Sequence, residues 1–283
     1  MSWVFLYDKF RHLLSDGQMF SVSTAFRSTT HPLPQPQTSR FMTDQMTASI
    51  TGDSSKIAEL KRQLQSSPEK KQLQLIPELV STGAAGLDVL MEFLKEQQPT
   101  PVNLATGLAY QSLYQADTPI ANEFLQTHFP TGIVPLRSEG SIDYTPLQQL
   151  LVKQDFLAAD RHTLEKLCEL AGPAAVQRKW LYFSEVESFP STDLQTINAL
   201  WFIHSQGKFG FSVQRDLWLS LNKNWEKLWE KIGWKTGNNW TRYPNEFTWN
   251  LSAPVGHLPL SNQLRGVRVI ASLLSHPAWS MKG

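Results

Sequence analysis

Apolar residues recur at helical spacing along the chain from about residue 54 onward. Ile57, Leu60 and Leu64 follow Ser54 and Ser55 at intervals that place them on one face of a helix. Serine is a preferred residue at a helix start because its side chain accepts a hydrogen bond from the exposed backbone N–H groups there. The pattern therefore predicts a helix that begins at Ser54.

Signals for helix ends divide the rest of the first half into several short helices. An apolar run stops at Gly83, and Thr100 followed by Pro101 predicts the start of another helix. No stretch alternates apolar and polar residues long enough to predict a strand. The sequence therefore predicts an all-α protein with an N-terminal antiparallel helical bundle. Stacked helix pairs of a solenoid are the alternative, although no fixed-period repeat is visible.

The last predicted helix combines a buried face with a charged flank. It begins at Ser261, and its buried face is formed by Leu264, Val267, Ile270, Ala271 and Leu274. At about 100° per residue, Asn262, Arg265 and Arg268 fall together on the flank away from those positions. Two arginines one turn apart can bind a pair of carboxylates or phosphates, because each guanidinium offers paired donors. The alternative is that these three residues form an ordinary solvent-exposed helix face. Spacing alone favours this alternative.

Composition divides the chain into two unlike halves. Ten tryptophans are present, and all except Trp3 lie between Trp180 and Trp279. Residues 46–150 carry seven basic and eleven acidic side chains, a net charge of −4, whereas residues 151–283 carry fifteen and eleven, a net charge of +4. The aromatic, basic half is therefore the better candidate for binding a flat anionic ligand. The whole chain has a net charge of +1, which argues against nucleic acid as a partner.

Proline residues at 32, 34 and 36 set the beginning of the chain apart, because they prevent a helix and favour an extended path. We therefore expect residues 1–45 to be a disordered extension or an over-long start. A helical bundle is predicted over residues 46–144, and an aromatic core domain over residues 145–283. The single cysteine, Cys168, excludes an internal disulfide framework and fits a reducing compartment.

One aromatic group stands outside the helical pattern, between Gly237 and Trp249. Glycine, asparagine and proline residues in this stretch predict a mobile surface loop, and its aromatic side chains are Trp240, Tyr243, Phe247 and Trp249. Exposed aromatic rings suit a lid over an apolar ligand. Attachment of the loop to the core is the alternative, and it is equally compatible with the sequence.

Four stretches of the C-terminal half together resemble the Genomes Uncoupled Four family over about residues 145–280. They are WLYFSEVESFPSTDLQTINALWFIHSQGKFGFSVQRDLW (180–218), GW (233–234), PVGHLP (254–259) and NQLRGVRV (262–269). Residues 54–140 resemble the extra N-terminal helical domain of cyanobacterial members. The resemblance implies that residues 145–283 form a cupped, all-helical core that binds protoporphyrin IX and magnesium protoporphyrin IX. It also implies a non-enzymatic activator that acts with the large porphyrin-binding H subunit of magnesium chelatase in chlorophyll synthesis, with no obligatory cofactor.

Positions that match the family's motifs supply the expected ligand contacts. The resemblance implies that Arg265 and Arg268 bind the porphyrin propionates and that Phe183 and Phe211 line the cleft. Trp240 and Tyr243 lie on the matching loop, although the family often has tryptophan where this chain has Tyr243.

A bound magnesium porphyrin would need an axial oxygen ligand, because magnesium is a hard cation. The amide oxygen of Asn262, directly or through water, is the expected ligand, and the protein itself is expected to hold no metal. His257 is the competing candidate, but a structural role is favoured for it.

No catalytic signature is present: the chain has no phosphate-binding glycine loop, no HExxH, no CxxC and no GxSxG motif. We therefore expect a protein that is not an enzyme. The alternative function is a helical protein-interaction scaffold whose aromatic half is structural. A cytoplasmic monomer is the simplest expectation, and attachment to the surface of the thylakoid membrane is left open.

Overall fold

The computed structural model describes residues 43–98, 101–260 and 267–280, with side chains from residue 54 onward. Over these ranges helices are the main regular structure, with one short two-stranded hairpin besides, which confirms the all-α prediction. Among the helices described, none combines the length and the apolar character of a membrane-spanning segment. The helices are α1 Thr43–Ser66, α2 Glu69–Ser81, α3 Ala84–Glu96, α4 Leu104–Ala116, α5 Pro119–His128, α6 Thr145–Val152, α7 Phe156–Ala171, α8 Pro173–Arg178, α9 Phe183–Val186, α10 Ser191–His204, α11 Phe211–Ser220, α12 Trp225–Lys231 and α13 Arg268–Ser275, followed by a 3₁₀ turn Pro277–Trp279.

The first five helices share an apolar core. Helix α2 packs against α3 and α4, and α4 also packs against α5. The side chains between them are almost completely buried: Leu64, Leu75, Ile76, Leu79, Leu90, Phe93, Ala105, Ala109 and Leu113. Most of these residues recur at helical spacing in the sequence, so burial follows the periodic pattern.

Helix α4 does not begin where the sequence predicts. Thr100 lies outside the described residues, and the helix begins at Leu104 and not at Pro101. Asn103 precedes it, and its side chain accepts the backbone N–H of Thr106 at 2.9 Å, while the Thr106 hydroxyl accepts the backbone N–H of Asn103 at 3.0 Å. This reciprocal pair satisfies two N–H groups at the helix start, so Asn103 is the stronger capping residue.

Two further helices begin away from the predicted residues. Helix α1 begins at Thr43, so Ser54 lies inside it and does not cap it. The predicted start of the last helix at Ser261 lies outside the described residues, and α13 begins at Arg268. Val267 therefore precedes the helix and is exposed, whereas the sequence places it on the buried face.

Helices α4 and α10 join the N-terminal helices to the C-terminal ones. They pack directly against each other at Gly107, where a Cβ atom would lie 2.4 Å from Cγ2 of Ile203. A larger residue at this position would require the Ile203 side chain or one of the two helices to shift. The division into domains at residues 144 and 145 stays a prediction.

The buried carboxylate of Asp193 attaches the segment before α6 to helix α10. It accepts the backbone N–H groups of Glu139 and Gly140 at 2.9 and 3.1 Å and the hydroxyl of Tyr144 at 2.8 Å. The hydroxyl of Ser138 donates a further hydrogen bond. Asp193 has no exposed surface, so these donors replace the water that an exposed carboxyl group would bind.

Tryptophan rings form a continuous stack in the C-terminal half. Trp218 and Trp225 have ring centroids 4.7 Å apart, and Trp225 and Trp229 have centroids 5.3 Å apart. Trp229 and Trp234 are 5.3 Å apart and nearly parallel, with 6° between the ring planes. The indole N–H of buried Trp234 donates to the backbone oxygen of His257 at 2.7 Å. The stack ends beside a short antiparallel hairpin, β1 Lys235–Thr236 and β2 Asn239–Trp240, which the sequence did not predict.

Candidate functional site

Two of the predicted site residues, Phe183 and Arg268, lie together on the surface. Phe183 begins α9 and is 38% exposed, and Arg268 begins α13 and is also exposed. The central guanidinium carbon of Arg268 lies 5.5 Å from the centroid of the Phe183 ring. A cation at this distance over an aromatic face is attracted by the ring quadrupole. Residues 85 positions apart in sequence therefore form one mixed aromatic and cationic surface.

Buried neighbours place Phe183 at this position. Leu181, Val186 and Phe189 are buried on either side of it, whereas Tyr182 is exposed. Helix α9 packs against α13, and the backbone of Phe189 hydrogen-bonds to the ring of His276, which follows α13. Burial lowers the pKa of His276, and this hydrogen bond opposes the shift. The segment is thus anchored by apolar residues that turn toward the core and leave the two aromatic rings at the surface.

Exposed apolar residues next in the chain to Phe183 and Arg268 add to the chemical character of this surface. Tyr182 and Val267 are among the large apolar side chains that remain exposed, and each is the chain neighbour of a site residue. Exposed apolar groups beside a cation are suited to a ligand that has both an apolar face and an anionic group. A fully hydrated small anion would gain nothing from the aromatic surface.

Phe211 lies elsewhere, in the core. Its side chain is completely buried, and its ring centroid is 6.4 Å from that of Trp279 in the 3₁₀ turn after α13. Gly210 precedes it with φ of 126°, and the N–H of Gly210 donates to the backbone oxygen of Leu258 at 3.0 Å. Phe211 is therefore buried where α11 packs against α13, and its role as a cleft residue stays a prediction.

Trp240 is exposed at the end of β2, opposite Lys235 in the hairpin. It is 40% exposed, its ring centroid is 6.0 Å from that of Trp229, and the ammonium of Lys235 lies 5.6 Å from its ring centroid. The hairpin thus extends the tryptophan stack to the surface. The ammonium of Lys235 also pairs with the carboxylate of Glu226 and its side chain is largely buried, so this cation differs from the exposed guanidinium of Arg268.

Tyr243 is half-buried and packs against the other loop aromatics. Its ring centroid lies 6.2 Å from Phe247 and 5.7 Å from Trp249, and its hydroxyl accepts a hydrogen bond from Nε of Arg161 at 3.2 Å. Phe247 is buried. For Tyr243 and Phe247, this packing favours attachment to the core, the second interpretation of the loop sequence, whereas Trp240 retains the exposure that a lid requires.

His257 is engaged through both ring nitrogens. Nδ1 lies 2.6 Å from the backbone oxygen of Ile232, and Nε2 accepts the backbone N–H of Thr248 at 3.3 Å. Burial lowers the pKa of His257, and the bond to Ile232 opposes the shift. In this tautomer no ring nitrogen is available to a metal, so the geometry agrees with a structural role. Within the described ranges, no three His, Cys, Asp or Glu side chains are grouped as metal ligands.

Asn262 and Arg265 lie outside the described residues, but the residue before their segment is held by a buried acid. The carboxylate of Asp160, in α7, accepts the backbone N–H of Leu260 at 2.7 Å. Burial raises the pKa of Asp160 to about 7, opposed by the Leu260 hydrogen bond and by Arg161. Sequence reasoning missed this residue, because its partner is a backbone group 100 positions away.

The free energy of unfolding of the wild type is expected to fall as the pH rises. Asp160→Asn is expected to lack this part of the pH dependence. The pKa of about 7 in the folded protein lies above the ordinary value of 3.8, so the fold favours the protonated carboxyl. This contribution to stability is present below pH 4 and is lost as pH rises through 7. Between pH 5 and pH 8 the free energy of unfolding of the wild type should fall by about 2 kcal/mol more than that of Asp160→Asn.

Urea unfolding of both proteins at pH 5 and pH 8 measures this difference. Asparagine keeps an acceptor for the N–H of Leu260, so the comparison isolates the ionisation. Asp216→Asn, at a carboxylate whose side chain is 78% exposed, is the matched control. An identical pH dependence in the wild type and in Asp160→Asn would contradict the assignment.

Comparison with known proteins places both halves of the chain in one family. The family model described as GUN4-like matches residues 137–277, and the model described as an ARM-like repeat domain, GUN4-N terminal, matches residues 48–130. The second description names stacked helices, the arrangement that the sequence leaves as the alternative to a bundle.

The chain is also similar to individual proteins. The Ycf53-like protein of Synechocystis sp. is 56% identical over 232 residues, which cover 81% of this chain and 99% of the relative. The tetrapyrrole-binding protein, chloroplastic, of Arabidopsis thaliana is 41% identical over 143 residues, covering 47% of this chain and 54% of the relative. The solved structure of GUN4 from Chlamydomonas reinhardtii is 40% identical, covers 52% of this chain and 95% of that one, and superposes with a TM-score of 0.49.

Proposed function

The chain belongs to the GUN4-like family, and from this premise we propose that it is a porphyrin-binding regulator whose site includes Phe183 and Arg268. The observation that supports the proposal most directly is the contact between this exposed aromatic ring and this exposed guanidinium, 5.5 Å apart. The name of the Arabidopsis relative, a tetrapyrrole-binding protein, agrees with such a ligand.

The chemistry of a porphyrin matches this surface. A porphyrin is a flat apolar plate with two carboxylates at one edge, so its site needs aromatic contacts for the face and a cation for the edge. Phe183, Tyr182 and Val267 offer the apolar contacts, and Arg268 offers the cation. A guanidinium can bind a carboxylate through two parallel hydrogen bonds, which fixes the orientation of the plate as well as its position.

Trp240 is the candidate for a second contact with the ligand face. Its ring is exposed while the rings beside it in the stack are buried, so the stack supports it from behind. Tyr243 packs against Trp249 and hydrogen-bonds to Arg161, so we expect it to contribute less to a contact with the ligand. The roles carried over from the family to Asn262 and Arg265 stay part of the proposal, as do protoporphyrin IX and magnesium protoporphyrin IX as the ligands.

We propose further that the protein activates magnesium chelatase together with its H subunit. A protein that carries out no chemistry can accelerate an enzyme only by binding its active conformation, by presenting substrate or by accepting product. Porphyrin binding allows the last two routes, so activation should depend on the porphyrin site. The GUN4-like match supports this reading.

Arg268→Ala protein is expected to activate magnesium chelatase much less than the wild type at limiting porphyrin. The assay is the rate of magnesium protoporphyrin formation by a reconstituted chelatase, with and without the protein. Arg62→Ala, in which an exposed arginine of α1 is removed, is the control and should activate as the wild type does.

The opposite outcome would favour the alternative function. If Arg268→Ala binds porphyrin poorly and yet activates the chelatase fully, activation does not need the porphyrin site. The protein would then act as a helical interaction scaffold, and the N-terminal region that matches the ARM-like repeat model would be the first candidate for the contact surface.

A further inference from the structure

A compact cluster precedes Phe183 in the chain and is centred on the guanidinium of Arg178. Its central carbon lies 4.7 Å from the ring centroid of Trp180 and 4.4 Å from that of Tyr182. The two rings meet edge to face with centroids 4.5 Å apart. Contacts of a guanidinium with aromatic faces are favourable, the more so when water is partly excluded.

An ion pair with Glu185 completes the cluster. Nη2 of Arg178 donates to the two carboxylate oxygens at 2.8 and 2.6 Å, and Nε donates to the backbone oxygen of Trp180 at 3.2 Å. The carboxylate also accepts the backbone N–H of Tyr182 at 2.7 Å. Both charged side chains are about four-fifths buried, so the pair is less screened than a surface pair. We call Arg178, Trp180, Tyr182 and Glu185 the 178–185 cluster.

The backbone between Arg178 and Glu185 depends on tertiary contacts for its conformation. Helix α9 has only four residues, too few to be stable without tertiary contacts. Lys179, after α8, has φ of 60°, a left-handed conformation that turns the chain. The ion pair spans this turn and the first turn of α9. The direction of α9, and with it the position of the Phe183 ring, therefore depends on the cluster.

We propose that Arg178 is a positioning residue for the porphyrin site. It holds Phe183 against Arg268 through Glu185 and Tyr182, without touching the ligand. Its charge is balanced by Glu185 and its guanidinium is covered by two rings, so it is poorly placed to bind a propionate. The inference rests on the proposed function, because it needs a ligand that contacts Phe183.

A double-mutant cycle tests this inference on the full-length protein. The probe is deuteroporphyrin IX, a water-soluble analogue, and the readout is quenching of protein fluorescence. Arg178→Gln is expected to weaken binding about fivefold, which corresponds to about 1 kcal/mol. Phe183→Ala should weaken binding at least as much, and the double variant should bind no more weakly than Phe183→Ala alone. Lys179→Gln removes an exposed charge from the neighbouring position and is the control.

Each departure from this pattern has a defined meaning. Additive losses in the double variant, or wild-type affinity in Arg178→Gln, would overturn the positioning role. If Arg178→Gln does not fold, Glu185→Gln replaces it, since it keeps an acceptor for the Tyr182 N–H and removes the ion pair; its expected loss is about twofold and should also vanish in the Phe183→Ala background. A wild type that does not bind the probe would overturn the proposed function and this inference together.

Discussion

Arg268→Ala is expected to weaken the binding of deuteroporphyrin IX at least tenfold. The substitution removes the cation beside Phe183, 5.5 Å from its ring, and with it the proposed hydrogen bonds to a porphyrin carboxylate. Hydrogen bonds to charged groups contribute about 1.5 to 3 kcal/mol, and 1.4 kcal/mol corresponds to a tenfold change in affinity. Because the side chain is exposed at the start of α13, its removal should leave folding intact.

Fluorescence-quenching titrations of the wild type and Arg268→Ala measure this effect. Titration at two salt concentrations adds a second test, because the affinity of the variant should depend less on salt than that of the wild type. Arg62→Ala again serves as the control for the loss of one exposed arginine. If the affinities of the wild type and Arg268→Ala differ by less than a factor of two, Arg268 is not part of the porphyrin site.

Asp193→Ala is expected to lower the free energy of unfolding by about 3 to 5 kcal/mol. The buried carboxylate accepts hydrogen bonds from the backbone of Glu139 and Gly140 and from the hydroxyls of Ser138 and Tyr144. Alanine offers no acceptor, so these donors would stay buried without partners or the segment would detach from α10. Burial and the hydrogen bond to Asp193 also raise the pKa of Tyr144, so the tyrosine should stay protonated.

Equilibrium urea unfolding measures this loss, and Tyr144→Phe provides a graded comparison. It removes one donor of the set and leaves the others in place, so its expected cost is about 1 kcal/mol. The prediction concerns the ranking of the two variants by stability as well as the size of each loss. An Asp193→Ala protein that is as stable as Tyr144→Phe would show that the segment before α6 is not held by this carboxylate.

The helical architecture could be predicted because apolar spacing reports burial directly. Leu60 and Leu64, which the sequence places on one face of the first predicted helix, are buried in the structure. Helix starts were less predictable, because they depend on which side chain reaches a free N–H group. Asn103 caps α4 through a reciprocal pair with Thr106, whereas the sequence favoured the Thr100 and Pro101 signal.

The candidate site could be predicted only in part. Spacing alone favours a solvated face for Arg268, and its pairing with Phe183 needs α9 and α13 to pack together. Phe211 matches the family pattern, and yet it is buried, because its place at the start of α11 puts it beneath α13. Sequence similarity gives the identity of such residues, but the depth at which each one lies depends on the packing.

Buried carboxylates were the features least accessible from sequence. Asp160 and Asp193 look like ordinary helix residues in the sequence. Most of their partners are backbone N–H groups or hydroxyls far along the chain, at Leu260 and at residues 138–144. Backbone donors carry no sequence signature, so only the folded arrangement reveals these interactions.

A crystal structure of the chain with magnesium deuteroporphyrin bound would show directly whether Phe183 and Arg268 contact the porphyrin. We expect the porphyrin plane to cover the ring of Phe183 and a propionate oxygen to lie about 3 Å from the guanidinium of Arg268. Trp240 should approach the porphyrin, and the ion pair of Arg178 with Glu185 should be unchanged. A porphyrin bound elsewhere, with the surface formed by Phe183 and Arg268 still open to water, would contradict the account.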